Sequence, residues 1–187
     1  MKQRMIIVVG PSGVGKSSFV DRAVQELPYL VDVITYTTRQ MRPGESEGHP
    51  YHFVSQEEFS QLVENDFFVE WAHVHSNRYG TPRDQIVAAW DRGSGVIMDI
   101  DIQGARACIN EFPQLLSIFI EPPSLEELRR RIEKRSEFLP KDFEIRMENA
   151  KKEIAAASEF DCRICNDDFA ESFGEFKKII EEYWQNG

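Results

Sequence analysis

The sequence predicts an α/β fold, a parallel sheet core with helices on both faces, and three observations carry that expectation. Apolar runs of strand length alternate with stretches of helical periodicity along most of the 187 residues. The first run, Met5–Val9 ("MIIVV"), shows no apolar–polar alternation, as suits a strand covered on both faces. It leads through "GPSGVGKS" at 10–17 to Phe19, Val20, Ala23, Val24 and Leu27, which share one face of a helix.

The linking stretch fits G-x-x-x-x-G-K-[ST], the phosphate-binding P-loop. Unpaired backbone N–H groups and the helix dipole at such a junction attract an anion. Gly10, Gly13 and Gly15 permit close backbone approach and positive φ. Lys16 is placed to reach β- and γ-phosphates, and the Ser17 hydroxyl to ligate Mg²⁺. A nucleoside triphosphate site follows; a glycine-rich turn ending by chance in lysine would not need the strand and helix around it.

The remaining elements follow in order. "VDVITYTTR" (31–39) reads as a strand ending in a polar turn, and 40–53, dense in Pro, Gly and charge, as loop or hairpin. "SQEE" (55–58) is a capping box opening a helix with Phe59, Leu62 and Val63. "FFVEWAHVH" (67–75) reads as a strand. "TPRD" (81–84) offers Thr81 as N-cap and Pro82 at N1 of a helix to about Trp90. "GVIMDID" (95–101) reads as a core strand with Asp99 and Asp101 on one face, and "LLSIFI" (115–120) as another. "SLEE" (124–127) caps a helix to about Arg135 with a stripe of Leu125, Leu128 and Ile132. A helix from about Asp142 to Ala157, a short strand around Ile164 and a terminal helix complete the chain. Short strands in 36–82 interrupt the rhythm and suggest a separate lobe.

Composition narrows the function classes. A net charge of −10 disfavours nonspecific binding to nucleic acid or anionic membrane. No apolar stretch approaches ~18 residues and no signal-peptide pattern opens the sequence, so the expectation is a cytoplasmic protein. Cys108, Cys162 and Cys165 are too few for a disulfide framework. The last two form a C-x-x-C without the second pair that zinc requires, and they read as core thiols. His73 and His75 share a strand face but have no evident metal partners.

The basic side chains cluster in spite of the acidic total. Arg39 and Arg42 lie together, and Arg131, Arg135 and Arg146 fall beside the apolar stripes of consecutive helices. Singly, such arginines read as snorkelling helix-edge residues; together in a P-loop chain they suggest a lid over phosphates. Phosphoryl transfer is mostly positioning and charge neutralisation. A monophosphate acceptor is largely a dianion at neutral pH, so no general base is needed.

"GPSGVGKS", "TTRxxRPGExxGxxYxFVS", "FxEWAxxxxNxYGT", "DIDxQG", "RRRIEKR" with Arg146 eleven residues beyond, and "ICNDDF" together resemble the guanylate kinase family over nearly the whole chain. The resemblance implies Mg²⁺-dependent transfer of the γ-phosphoryl group of ATP to GMP, in a single domain. Its core would comprise about 1–35, 83–125 and 158–187, with a GMP-binding lobe at about 36–82 and a lid at about 126–157. ATP would lie on Gly10, Pro11, Ser12, Gly13, Val14, Gly15, Lys16, Ser17 and Ser18, with Asn166 near the adenine. Arg39, Arg42, Tyr51 and Tyr79 would hold the GMP phosphate, and Glu70, Thr35 and Thr81 would face the guanine edge. Glu45 would belong to the same site, and Asp99 and Asp101 would lie near metal and GMP. Lys16, Arg42, Arg131, Arg135 and Arg146 would be catalytic, with water and phosphates completing the Mg²⁺ shell around Ser17.

The chain departs from the pattern at Thr35, often serine, and at Ser136, usually glycine, followed by "EFLP" at 137–140. Thr81 carries two competing jobs, N-cap and base contact. Glu70, between Val69 and Trp71, reads either as a guanine reader or as the solvent-facing position of an alternating strand. Two other functions fit the fold: a non-catalytic guanylate-kinase-like binding module, and a kinase for another phosphorylated acceptor. The intact P-loop argues against the first, and the set Arg39, Arg42, Tyr51, Glu70 and Tyr79 against the second. A switch GTPase is disfavoured because no N-K-x-D stretch occurs.

Overall fold

A computed structural model of the chain describes residues 3–74, 76–134 and 143–186. Its core is a five-stranded, all-parallel sheet of β1 (Met5–Val9), β2 (Leu30–Asp32), β7 (Gly95–Asp99), β8 (Leu116–Glu121) and β9 (Cys162–Cys165). The strands run in the order β2-β7-β1-β8-β9. Strand pleating sends Ile6 and Val8 to one face and Met5, Ile7 and Val9 to the other, and all are buried. The first face packs Ile97, Ile118 and Ile120 against Phe19, Val20 and Ala23 of α1 (Lys16–Glu26) and Phe173, Phe176 and Ile180 of α7 (Phe169–Asn186). The second packs Val96, Met98 and Phe119 against Ile86 and Ala89 of α3 (Arg83–Asp91) and Ala105 and Cys108 of α4 (Ile102–Glu111). Helices therefore cover both faces, and β1, β2 and β7 all end on one rim, where ligands bind in open α/β sheets.

A second sheet of four strands, β4-β3-β6-β5, stands beyond that rim. It comprises β3 (Tyr36–Thr37), β4 (His52–Phe53), β5 (Phe68–Val74) and β6 (Asn77–Pro82). α2 (Gln56–Glu64) opens with the expected capping box, Ser55 and Glu58 each accepting from the other's backbone N–H.

Five expectations are corrected. Residues 31–39 are not one strand. The chain leaves the core sheet after Asp32, the Gln85 side chain accepts from Ile34 N (3.0 Å) in place of a ladder neighbour, and β3 then joins the second sheet. Thr81 is not an N-cap, because β6 pairs with β5 as far as Phe68↔Pro82 and the helix starts after Pro82. The strand at 95–101 stops at Asp99; Asp101 caps α4, its carboxylate accepting from Gln103 N (2.8 Å) and Gly104 N (3.2 Å). The expected common strand face for Asp99 and Asp101 is thereby lost, and α4 itself has no counterpart in the sequence reading. Leu125 is exposed, leaving Leu128 and Ile132 as the buried positions of α5 (Leu125–Lys134). Cys108 is buried and Cys162 packs half-buried against the core, but Cys165 is exposed on the edge strand β9.

α6 (Phe143–Ala155) buries Phe143, Met147 and Ala150. Arg135, Ser136 and 137–140 lie outside the described residues, as does His75.

Candidate functional site

The loop after β1 takes the geometry that its glycines permit. Gly10, Gly13 and Gly15 have φ of 145°, 89° and 105°. A Cβ on Gly10 would sit 2.2 Å from the Ile120 carbonyl oxygen, and one on Gly13 2.7 Å from Ile132 Cγ1. Space and φ together therefore demand glycine. Lys16 donates from Nζ to the Gly10 carbonyl (2.7 Å) and the Pro11 carbonyl (3.4 Å), so the ammonium lies across the loop's own oxygens. Asn166 is buried and donates from Nδ2 to the Val14 carbonyl (2.8 Å). It straps the loop from beneath, a contact the sequence reading did not anticipate.

The loop forms one wall of a cleft of about 1030 Å³. Gly10, Ser12, Gly13, Gly15, Lys16, Ser17 and Ser18 share that cleft with Thr35, Arg39, Arg42, Glu45, Tyr51, Glu70 and Tyr79 of the opposite wall, and with Asp99, Asp101 and Arg146. Residues far apart in sequence thus line one cleft. Arg131 instead turns toward Glu127 (2.9 Å) and the Asp167 carbonyl (3.4 Å).

Glu45 acquires a definite place. Its carboxylate accepts from Arg39 Nη1 (3.0 Å) and Nη2 (2.8 Å), and from Arg42 N (2.8 Å). Burial opposes ionisation of Glu45, yet Arg39 and the Arg42 amide hold its carboxyl below the ordinary range. The Arg39 guanidinium also lies 5.3 Å from the Tyr51 ring centroid. Tyr51 meets Tyr79 edge-on at 5.6 Å, and burial pushes the Tyr51 phenol up.

Glu70 is buried and shares a strand face with Ala72, while a register shift after Phe68 sets Phe68 and Trp71 on the other face, against Phe59; Trp71 and His73 are exposed. The solvent-facing reading of Glu70 is therefore excluded. Thr81 is fully buried and donates from Oγ1 to Glu70 Oε1 (2.5 Å). Burial raises the Glu70 carboxyl to about 7, the Thr81 hydrogen bond holding it down and Asp101 adding to the rise. Asp32 is likewise raised to about 7 by burial and by Asp99 and Asp21. Burial also raises Asp99, although Lys16 and the Ser17 hydroxyl pull it down. Sequence reading missed Glu153, a cleft carboxyl on α6 that burial raises, Lys16 opposing and Asp101 adding. Helical spacing to Arg146 and Asn149 was its only signal.

A carboxyl whose folded pKa exceeds its unfolded value contributes stability at acidic pH and loses it as pH rises through the folded value. For Glu70 that window runs from 4.5 to about 7. The melting temperature of the unliganded protein should fall as pH rises from 4.5 to about 7, and Glu70→Gln should shrink the fall. Equal falls in thermal melts of the two proteins would refute the assignment.

Among the described residues no group of three or more His, Cys, Asp or Glu could hold a metal ion. No helix among them is long and apolar enough to cross a membrane.

A glycine-rich loop at a helix N-terminus, at the carboxyl rim of a parallel sheet and facing arginines across a cleft, defines a P-loop nucleotide-binding protein. Comparison with known proteins narrows the class. The sequence model of the family described as guanylate kinase matches residues 2–183. A guanylate kinase of Bdellovibrio bacteriovorus is 54% identical over 182 residues, 97% of this chain and 98% of that protein. One from a Synechococcus species is 40% identical over 95% of this chain and 82% of its own length. The crystal structure of guanylate kinase from Anaplasma phagocytophilum superposes with a TM-score of 0.79 at 31% identity, covering 95% of this chain and 84% of that one. The chain belongs to the guanylate kinase family and is a nucleoside monophosphate kinase.

Proposed function

We propose that the cleft holds ATP and GMP end to end and transfers the γ-phosphoryl group of ATP to the GMP phosphate, giving ADP and GDP. The observation that carries this reading is the single cleft shared by the P-loop and by Arg39, Arg42, Tyr51, Glu70 and Tyr79. The ATP phosphates lie on the backbone amides of 10–18, and Lys16 moves from the loop carbonyls to the β- and γ-oxygens. The GMP phosphate takes the forked donors of Arg39 and Arg42 and the hydroxyls of Tyr51 and Tyr79. The guanine edge meets Glu70 and Thr35, while Thr81, bonded to Glu70, aims the carboxylate. Asn166, placed near the adenine by the family resemblance, supports the P-loop through the Val14 carbonyl.

Ser17 fits a hard cation: its hydroxyl lies on the cleft wall and is hydrogen-bonded to the Asp99 carboxyl, which gives two neighbouring oxygen donors. Mg²⁺ arriving with ATP would be held there with water and phosphate oxygens, and would supply charge neutralisation at the transferring group. Arg146, on the cleft wall, adds positive charge, and Arg131 and Arg135 would join it as a lid over 126–157 closes toward the 36–82 lobe. Closure excludes water, which would otherwise hydrolyse ATP.

A coupled assay with ATP and Mg²⁺ against a panel of nucleoside monophosphates tests the reading. GMP should be the preferred acceptor, and a preference for any other would overturn it. Glu45→Gln removes the charge that orients Arg39, so the KM for GMP should rise about tenfold while that for ATP stays nearly constant. Initial rates at varied GMP and ATP check this, and parallel changes in both constants would refute it.

A further inference from the structure

The geometry points to Gly104 as a specificity-determining positioning residue: its missing side chain is the space in which the Glu70 carboxylate sits. A Cβ on Gly104 would lie 2.5 Å from Glu70 Oε2, 2.9 Å from Cδ and 3.4 Å from Oε1. All three nearest atoms belong to Glu70, so the close approach concerns that side chain and not the packing of α4 as a helix. The backbone makes no demand for glycine here, because Gly104 lies within the first turn of α4 and is absent from the positions of positive φ. Alanine is the better helix former at such a position.

Glu70 is poorly able to yield. Its Oε1 accepts from Thr81 at 2.5 Å, and the side chain is 6% exposed. A methyl group at 104 therefore either breaks the Thr81 bond or drives the carboxylate toward the cleft, into the volume that a base would occupy. This inference rests on the reading of Glu70 as the group that meets the guanine edge, and extends it. The carboxylate is aimed from two sides, by a hydroxyl on β6 and by a gap in α4. The α4 N-terminus is itself fixed by Asp101, whose carboxylate caps Gly104 N and Gln103 N.

The test is Gly104→Ala with full kinetics in the wild-type and Glu70→Ala backgrounds. In the wild-type background kcat/KM for GMP should fall between about tenfold and 10²-fold, as an ångström of misplacement implies, with the KM for ATP within about twofold. The GMP-to-AMP ratio should fall with it. In the Glu70→Ala background no carboxylate is left to displace, so the further loss should vanish. An unchanged GMP efficiency in Gly104→Ala, an equal loss in both backgrounds, or an equal rise in the KM for ATP would each overturn the inference. If Gly104→Ala loses its circular dichroism, recovery of the fold in the double variant supports the same contact, and failure to recover overturns it. A Glu70→Ala variant that keeps the GMP-to-AMP ratio sinks the reading of Glu70 itself, whatever Gly104 does.

Discussion

Lys16→Ala should retain its fold and lose phosphoryl transfer by ~10²-fold or more. Among the described residues the ammonium, at the first residue of α1, hydrogen-bonds the loop's own carbonyls at Gly10 and Pro11, and it is no part of the apolar core. Its expected loss falls on the transition state, where charge spreads over the equatorial oxygens of the transferring group. Neutralising that charge in a closed, water-poor cleft is worth several kcal/mol, far more than the same contact in water. Far-UV circular dichroism and turnover measured on one preparation check both halves. Near-normal turnover would remove Lys16 from the chemistry, and lost dichroism would show a structural role.

The second large effect is expected at Glu70. Guanine offers N1–H and N2–H donors, which one carboxylate accepts as a pair. Adenine presents a lone pair at N1 and no 2-amino group, so it meets repulsion and leaves a buried acid unpaired. Pockets built to hydrogen-bond a substrate reject analogues lacking the partner by ~10⁴-fold, so GMP should exceed AMP by at least ~10³-fold in kcat/KM. Glu70→Gln keeps the shape and replaces one acceptor by a donor. The Thr81 hydroxyl can still donate to the remaining oxygen, leaving the amide N–H to confront a guanine donor. GMP efficiency should collapse while AMP efficiency changes little. Both nucleotides measured in both proteins decide it, and an unchanged ratio would exclude Glu70 as the reader.

The two ends of the mechanism were unequally legible in the sequence. The P-loop is local: strand, glycines and helix follow one another, and each rule acts within a few residues, so β1, the loop and α1 were readable together. The opposite wall is a product of tertiary contact. Alternation along β5 puts Glu70 and Trp71 on different faces, but only the packing of α4 decides which face is buried. That helix escaped notice because Asp99 and Asp101 look alike in sequence: one ends a strand and the other caps a helix. Thr81 misled for the opposite reason, since Thr-Pro before an acid satisfies the local rule for a helix start. The pairing of β6 with β5 overrode it and turned the hydroxyl to Glu70. The bidentate grip of Glu45 on Arg39 spans only six residues, yet it depends on a loop conformation that no periodicity encodes.

The strap from Asn166 to the Val14 carbonyl has a consequence for how the protein comes into being. The two residues are 152 positions apart. During synthesis, the strand, glycines and helix of the P-loop are made almost at once, while the amide that steadies them is made only after all five core strands. A growing chain therefore carries the complete motif for most of its synthesis without the finished site. The strap can close only once β8 and β9 have been made, so the loop's support is completed late in the chain's synthesis.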